Sequence, residues 1–331
     1  MRKVLVTGGG GFVGSTIVRQ LLARDVECLV LGRNDYPSLA AEGAICLRGD
    51  IRDRAGLDHH LQGVDTVFHV AALAGIWGRW QDYEAINVQG TDNVIEACRA
   101  QGVRQLIYTS TPSVVFDRHD ICEGNESLPY PHTFLCHYAR SKVMAERSVL
   151  AAADDQLLTC AIRPHLVWGP GDPHLIPRLM ERGRARQLVR IGRGLNMVDI
   201  SYVDNVAHAH LLAADNLAGI GTAAGKAYFI SQGEPVNLWD WIGILFQRLD
   251  IPPVNRSIPF PLAYMAGSAL EWYYRKRKIL DEPRMTRFLA MQLAHSHWFS
   301  TKRAQADLGY RPLISNEEGM DLLIRSIRLR D

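Results

Sequence analysis

"KVLVTGGGGFVGSTIVRQLLAR", residues 3 to 24, decides how the rest of the chain is read. Val4 to Val6 suits a buried strand, and Phe12, Ile17, Val18, Leu21 and Leu22 recur near a 3.6-residue period, which predicts a helix. Between them Gly8, Gly11 and Gly14 form G-x-x-G-x-x-G, a spacing variant of the dinucleotide fingerprint. Glycine permits the tight turn, lets backbone approach a pyrophosphate and allows helix to pack closely on strand. The helix N-terminus then supplies free N–H groups and positive partial charge. A glycine-rich turn alone says little, but between a strand and a helix it predicts a dinucleotide site.

The second strand, "VECLVL" (26 to 31), would end in an acid if the ligand were NAD, because a carboxylate accepts hydrogen bonds from the ribose 2'-hydroxyl. Here the strand runs into Gly32 and Arg33. A guanidinium fork suits a 2'-phosphate, which favours NADPH/NADP+, with NAD still open. Asp35 lies two residues beyond the usual acidic position, and a solvated surface arginine is the plain alternative for Arg33.

Alternation continues through "AICLRGDI" (44 to 51), "DTVFHVAA" (65 to 72), a helix over 84 to 102, "RQLIYTST" (104 to 111), a helix over 138 to 153 and "LLTCAIRP" (157 to 164). Strands alternating with helices predict an α/β fold, a Rossmann-type doubly wound parallel sheet. Ligands gather at the carboxyl ends of such strands, where "GDI", "HVAA", "TSTPS" and "RPH" fall. Ala71, Ala72 and Pro164 therefore join the cofactor-binding candidates. From about Arg163 the regular alternation weakens.

Two stretches carry a tyrosine four places before a lysine: "HYARSK" (137 to 142) and "YYRKRK" (273 to 278). Spacing cannot choose between them, but position can. Tyr138 opens a helix just after the loop that follows "YTSTPS", so helical geometry sets Tyr138 and Lys142 on one face beside the strand ends. Tyr274 and Lys278 lie in an aromatic, basic segment with no glycine loop or strand end nearby. A free tyrosine, with pKa about 10, exchanges protons poorly at neutral pH, and a neighbouring ammonium is expected to lower it. Thr111 or Ser113 could hydrogen-bond the substrate oxygen.

The motifs T-G-x-x-G-x-x-G (7 to 14), "GDI", "HVAA", N-x-x-G-T-x-N (87 to 93), "YTST" and Y-x-x-x-K occur in the order found in the extended short-chain dehydrogenase/reductase superfamily, which the chain resembles. It is similar to the 3-beta-hydroxysteroid and sterol-4-carboxylate dehydrogenase branch through "AIRPHLVWGPGDPHLIPRL" (161 to 179), "NMVDISYVDNVAHAH" (196 to 210) and "GKAYFISQGEP" (225 to 235). "AALAGIWG" (71 to 78), "TSTPSVVF" (109 to 116) and "MTRFLAMQLAHSHWFS" (285 to 300) look closest to the 2-alkyl-3-oxoalkanoate reductases of bacterial long-chain olefin biosynthesis, although Leu73 stands where those would carry lysine.

The resemblance implies Tyr138 as acid/base, Lys142 as its partner, Thr111 as the family's Ser/Thr, Asp50 and Ile51 near adenine, and Phe12 and Val13 beside the pyrophosphate. It implies reduction of the 3-oxo group of a lipid-like 2-alkyl-3-oxoalkanoic acid. Oxidation of a 3-beta-hydroxysteroid or sterol-4-carboxylate is the alternative. A non-catalytic dinucleotide sensor often loses the tyrosine or lysine, and this chain keeps both. The resemblance further implies a nucleotide domain over 1–165, completed by returning segments, a smaller substrate-binding lobe over 166–331, a homodimer through the helices near 84 to 102 and 138 to 153, and association with other olefin-pathway enzymes.

Composition bounds these readings. A net charge of +2, with 47% apolar and 22% charged residues, describes a globular chain and gives no case for nucleic acid. Six scattered cysteines without a C-x-x-C point to reduced thiols. A strand beginning within three residues of the start leaves no room for a signal peptide, so a cytoplasmic protein is expected. Trp77 and Trp80 follow the fourth strand and are candidates to wall a substrate pocket. His208/His210 and His295/His297 are i, i+2 pairs whose rings diverge on a helix, so no metal is expected. The segment 257–280 joins apolar and aromatic residues to a basic cluster, which allows contact with a membrane surface as well as a lobe helix.

Overall fold

A computed structural model describes residues 1–329. Seven strands form its main sheet: β1 (Lys3–Thr7), β2 (Glu27–Gly32), β3 (Ile45–Arg48), β4 (Thr66–His69), β5 (Gln105–Thr109), β6 (Leu158–Pro164) and β7 (Lys226–Ile230). Their order is β3-β2-β1-β4-β5-β6-β7, and every neighbouring pair is parallel. The chain reverses direction across the sheet between β1 and β4, which opens a crevice at the carboxyl ends of those strands.

Both faces of the sheet are covered, which explains the near-continuous apolar runs. On one face Val4, Val6, Val30, Ile107, Ile162 and Tyr228 pack with α1 (Phe12–Leu22) and α4 (Val203–Ala218). On the other, Leu5, Leu29, Leu31, Val67, Leu106 and Ala161 pack with α2 (Gly90–Gln101) and α3 (His137–Ala151). Val4 and Val6 point one way and Leu5 the other, the period of two that a strand imposes. Each such fully buried side chain contributes about 1.5–3 kcal/mol. Helix α4 buries Ala207, Ala209, Ala213 and Ala214 in this core, and their small size permits close approach of the elements around it.

The two halves exchange segments. Helix α4 and β7 come from the C-terminal half yet complete the nucleotide layer. In return Ile121–Gly124, from the connection between β5 and α3, pairs with His297–Phe299 in a four-stranded lobe sheet. The lobe has its own core, in which Trp168, Trp239 and Trp241 are buried, so three of the C-terminal tryptophans serve packing. Two further helices flank it, α5 (Phe260–Arg277) and α6 (Arg287–Ala294).

Candidate active site

A cavity of about 540 Å³ opens at the carboxyl ends of the strands. It is lined by Gly8, Gly11, Phe12, Val13, Gly14, Arg33, Asp50, Ile51, Ala71, Ala72, Thr111, Tyr138, Lys142 and Pro164, so residues up to about 155 positions apart in the chain converge on one space.

The glycine turn fits a dinucleotide. Gly8 has φ of +67°, and a Cβ there would lie 2.8 Å from the Ala71 backbone, so no larger residue fits. Gly14 is equally constrained by the Gly8 carbonyl and Gly9. Helix α1 starts at Gly11 with no side-chain cap, which leaves its first N–H groups free for an anion. In the same cavity wall the buried Ser110 Oγ has no hydrogen-bond partner among the described residues, an atom that a bound molecule would satisfy. At the ribose end Arg33 and Asn34 line the space and Asp35 does not. Asp50 is held bidentately by Arg52 at 2.6 and 3.0 Å, and this pairing holds its carboxyl below the usual range. Tyr36, which the sequence reading passed over, lies against Gly10 and Gly32; a Cβ at either glycine would collide with its ring.

At the other end stand Tyr138, Lys142 and Thr111. Lys142 is buried, donates to the Thr109 carbonyl at 2.6 Å and sits 4.1 Å above the Tyr108 ring. From its spacing, Lys142 is expected to draw the Tyr138 phenol down. In the structure burial dominates instead and pushes Tyr138 up to about 12, against a smaller downward pull from its hydrogen bond with Thr111. Burial likewise lowers Lys142 to about 7, opposed by the Glu146 charge one turn along α3. In both groups the loss of water outweighs the opposing interactions, so each favours its neutral form.

The two hydroxyl candidates separate in space. Thr111 lines the cavity, whereas Ser113 lies outside that lining and accepts a hydrogen bond from Thr111 Oγ1 at 3.3 Å.

A buried frame holds these groups, and its members escaped functional assignment, although Asn87, Thr91 and Asn93 lie in the N-x-x-G-T-x-N motif. Asn87 sits in a π-helical turn, Glu84–Gln89, that leads into α2. Its carboxamide donates to Ser141 Oγ at 2.9 Å and to the Leu73 carbonyl at 3.1 Å, and accepts from Leu73 N–H at 2.7 Å. Gly90 makes room for Ile51, and Asn93 donates to the Ile51 carbonyl at 3.0 Å. Thr91 and Thr7 hold the two nitrogens of buried His69 at 3.0 and 2.7 Å; burial drives this imidazole down to about 3, so it stays neutral. Arg163 and Glu146, paired at 2.6 and 3.0 Å, tie β6 to α3.

Trp77 and Trp80 lie off the tyrosine cavity. Trp77 walls a neighbouring cavity of about 670 Å³ with Arg140, Glu271, Arg275 and Arg287, and its indole N–H donates to the Ile279 carbonyl at 3.1 Å. Trp80 carries the Arg140 guanidinium 3.9 Å above its ring. Tyr274 packs edge-on to Trp77 at 6.2 Å, and Lys278 is exposed beyond α5, so the second tyrosine–lysine pair does not enter the first cavity. Of the histidines weighed for metal, His297 instead accepts or donates a 2.6 Å bond with His165 in the lobe.

A doubly wound parallel sheet, an uncapped glycine turn and a buried lysine one helical turn from a tyrosine together define an oxidoreductase that uses a nicotinamide dinucleotide. The chain belongs to the 3-beta hydroxysteroid dehydrogenase/isomerase family, whose pattern matches residues 5–262. It is 46% identical over 320 residues to the 2-alkyl-3-oxoalkanoate reductase of Stenotrophomonas maltophilia (strain K279a), covering 96% of this chain and 97% of that one. It is 35% identical to the human decarboxylating sterol-4-alpha-carboxylate 3-dehydrogenase, over 99% of this chain and 88% of that protein. Among solved structures, a dTDP-glucose 4,6-dehydratase double mutant from Streptomyces venezuelae with NAD and DAU bound superposes with a TM-score of 0.76 at 26% identity, over 99% of this chain and 97% of that one.

Proposed function

We propose that this protein reduces the 3-oxo group of a 2-alkyl-3-oxoalkanoic acid to the 3-hydroxy acid with NADPH, as a step of long-chain olefin biosynthesis. The observation that carries the reading is a Tyr138 phenol kept protonated by burial in the cavity that the glycine turn opens, between Thr111 and Lys142. The 46% identity to a reductase of that name supports the choice of substrate.

Reduction of a ketone needs a hydride at carbon and a proton at oxygen. The dinucleotide supplies the hydride when bound. Thr111 holds the carbonyl oxygen, and the Tyr138 O–H donates its proton to that oxygen as negative charge develops there. With a pKa near 12 the phenol carries this proton throughout the neutral range, which suits an acid in the reductive direction. Lys142 then gains a proton more readily, because the phenolate is an opposite charge beside a desolvated amine. The Arg33 side chain at the cavity rim, without a carboxylate in the ribose wall except the Arg52-bound Asp50, supports NADPH over NADH.

The human sterol relative supports the runner-up, oxidation of a 3-beta-hydroxy sterol. Purified protein given a racemic 2-alkyl-3-oxo acid, its 3-hydroxy acid and 3-beta-hydroxysteroids, each with both cofactors, separates the two. The expected result is oxo-acid reduction; sterol turnover without it overturns the proposal.

A further inference from the structure

Helix α5 turns its small residues inward and its large apolar ones outward. Ala263, Gly267 and Glu271 are buried at a spacing of four. Gly267 passes so close to α6 that a Cβ would lie 2.7 Å from the Thr286 backbone. Glu271 accepts from the Arg287 backbone at 2.7 Å and side chain at 2.9 Å, and from Arg275 at 3.2 Å, so the only acid between residues 260 and 280 faces the protein. Outward stand Leu262 (57% exposed), Met265 (65%), Trp272 (62%) and Tyr273 (45%). A soluble surface rarely leaves such a row to water unless something covers it.

The C-terminal end of the same face is basic. Lys276 lies 5.0 Å above the Trp272 ring and Arg277 5.8 Å above Tyr273, with exposed Lys278 next in the chain. None of these three cations pairs with a carboxylate among the described residues. A second copy of this face would bring no acid to meet them, whereas anionic headgroups would. No helix among the described residues is long and apolar enough to cross a membrane, so contact would run along the surface.

We propose that α5 docks this protein on an anionic bilayer, with Leu262, Met265, Trp272 and Tyr273 at the headgroup–acyl boundary and Lys276, Arg277 and Lys278 against phosphates. The helix lies parallel to the bilayer plane, its indole and phenol at the depth where aromatic side chains settle. On its inner side Glu271 and Arg275 line the cavity beside the start of α3. The docking is independent of which carbonyl is reduced.

Co-sedimentation of the full chain with vesicles of phosphatidylcholine plus phosphatidylglycerol, against phosphatidylcholine alone, tests it. The expected result is binding to the anionic vesicles that weakens with salt, falls roughly thirtyfold in the K276Q/R277Q double variant at about fivefold per cation, and is lost in L262D/M265D. Circular dichroism and dinucleotide affinity should be unchanged in both variants. No binding to either vesicle, equal binding to both, or wild-type binding by L262D/M265D overturns the proposal. A concentration-dependent dimer abolished by L262D/M265D, without vesicle binding, also overturns it and assigns the face to a second copy.

Discussion

Lys142 Nζ is fixed to the Thr109 carbonyl at 2.6 Å, so the amine that stands one helical turn from Tyr138 is anchored to the end of β5. Its position is set by the sheet, and the cost is desolvation of an ammonium in a wall that offers one carbonyl and an aromatic face.

That cost gives a pH signature. The folded Lys142 has a pKa near 7, below its ordinary 10.5, so between those values the unfolded chain binds more protons and stability rises with pH. Below about pH 7 the penalty is fully present. Lys142→Met should therefore raise stability at pH 7 by a few kcal/mol, at about 1.4 kcal/mol per pKa unit, and flatten the rise toward pH 10 while reduction is lost. Urea unfolding at both pH values measures this; an unchanged midpoint at pH 7 would contradict a desolvated amine.

Tyr138→Phe should lower kcat/KM for carbonyl reduction by about 10²–10⁴ with dinucleotide affinity within a few-fold of wild type. Because the phenol stays protonated up to about pH 12, this group should impose no alkaline loss of kcat/KM through pH 9. A tyrosine-dependent fall near neutrality would show that the folded enzyme ionises it far more easily.

Of the two hydroxyls, Thr111→Val should cost roughly ten- to a hundredfold in kcat, the value of one donor to a developing oxyanion, or somewhat less. Ser113→Ala should stay within a few-fold, because its hydroxyl reaches the cavity only through Thr111. Steady-state kinetics on the pair decides; equal losses would remove the distinction.

For the cofactor, Arg33→Ala should weaken NADPH by roughly ten- to a hundredfold, the strength of a hydrogen bond to a charged group, and NADH by less than threefold. Titration of both dinucleotides measures the ratio. Equal losses would refute a 2'-phosphate role.

Asn87→Leu should destabilise the fold by roughly 2–4 kcal/mol, because both backbone groups of Leu73 lose their partner and buried Ser141 loses the bond it accepts. Thermal unfolding reports the loss, and a kcat that falls more than the dinucleotide affinity would trace it to the tyrosine end of the cavity.

The alternating strands and the glycine turn were legible because parallel sheets buried on both faces write continuous apolar runs, and because Gly8 and Gly14 leave no room for a side chain. Tyr138 was legible once the strand ends were located. Asn87 was harder: its motif is visible, but its partners Leu73 and Ser141 are 14 and 54 residues away. Tyr36 gives no local signal, since its place depends on the absence of Cβ atoms at Gly10 and Gly32. The burial that raises Tyr138 and lowers Lys142 was not legible, because spacing encodes proximity of charge but not loss of water. Trp77 and Trp80 were close in sequence to the fourth strand, yet the first cavity's lining ends at Ala74 on this segment, Trp77 walls the next cavity and Trp80 stacks on Arg140 outside both.

The strand Ile121–Gly124, lent to the lobe from the connection between Thr111 and Tyr138, has an engineering corollary. Grafting a foreign lobe at a single cut near residue 165 would leave this strand unpaired and slacken the span that carries both hydroxyl groups. New substrate ranges in this scaffold are therefore reached by replacing side chains in place, with the chain's weave between its two halves kept whole.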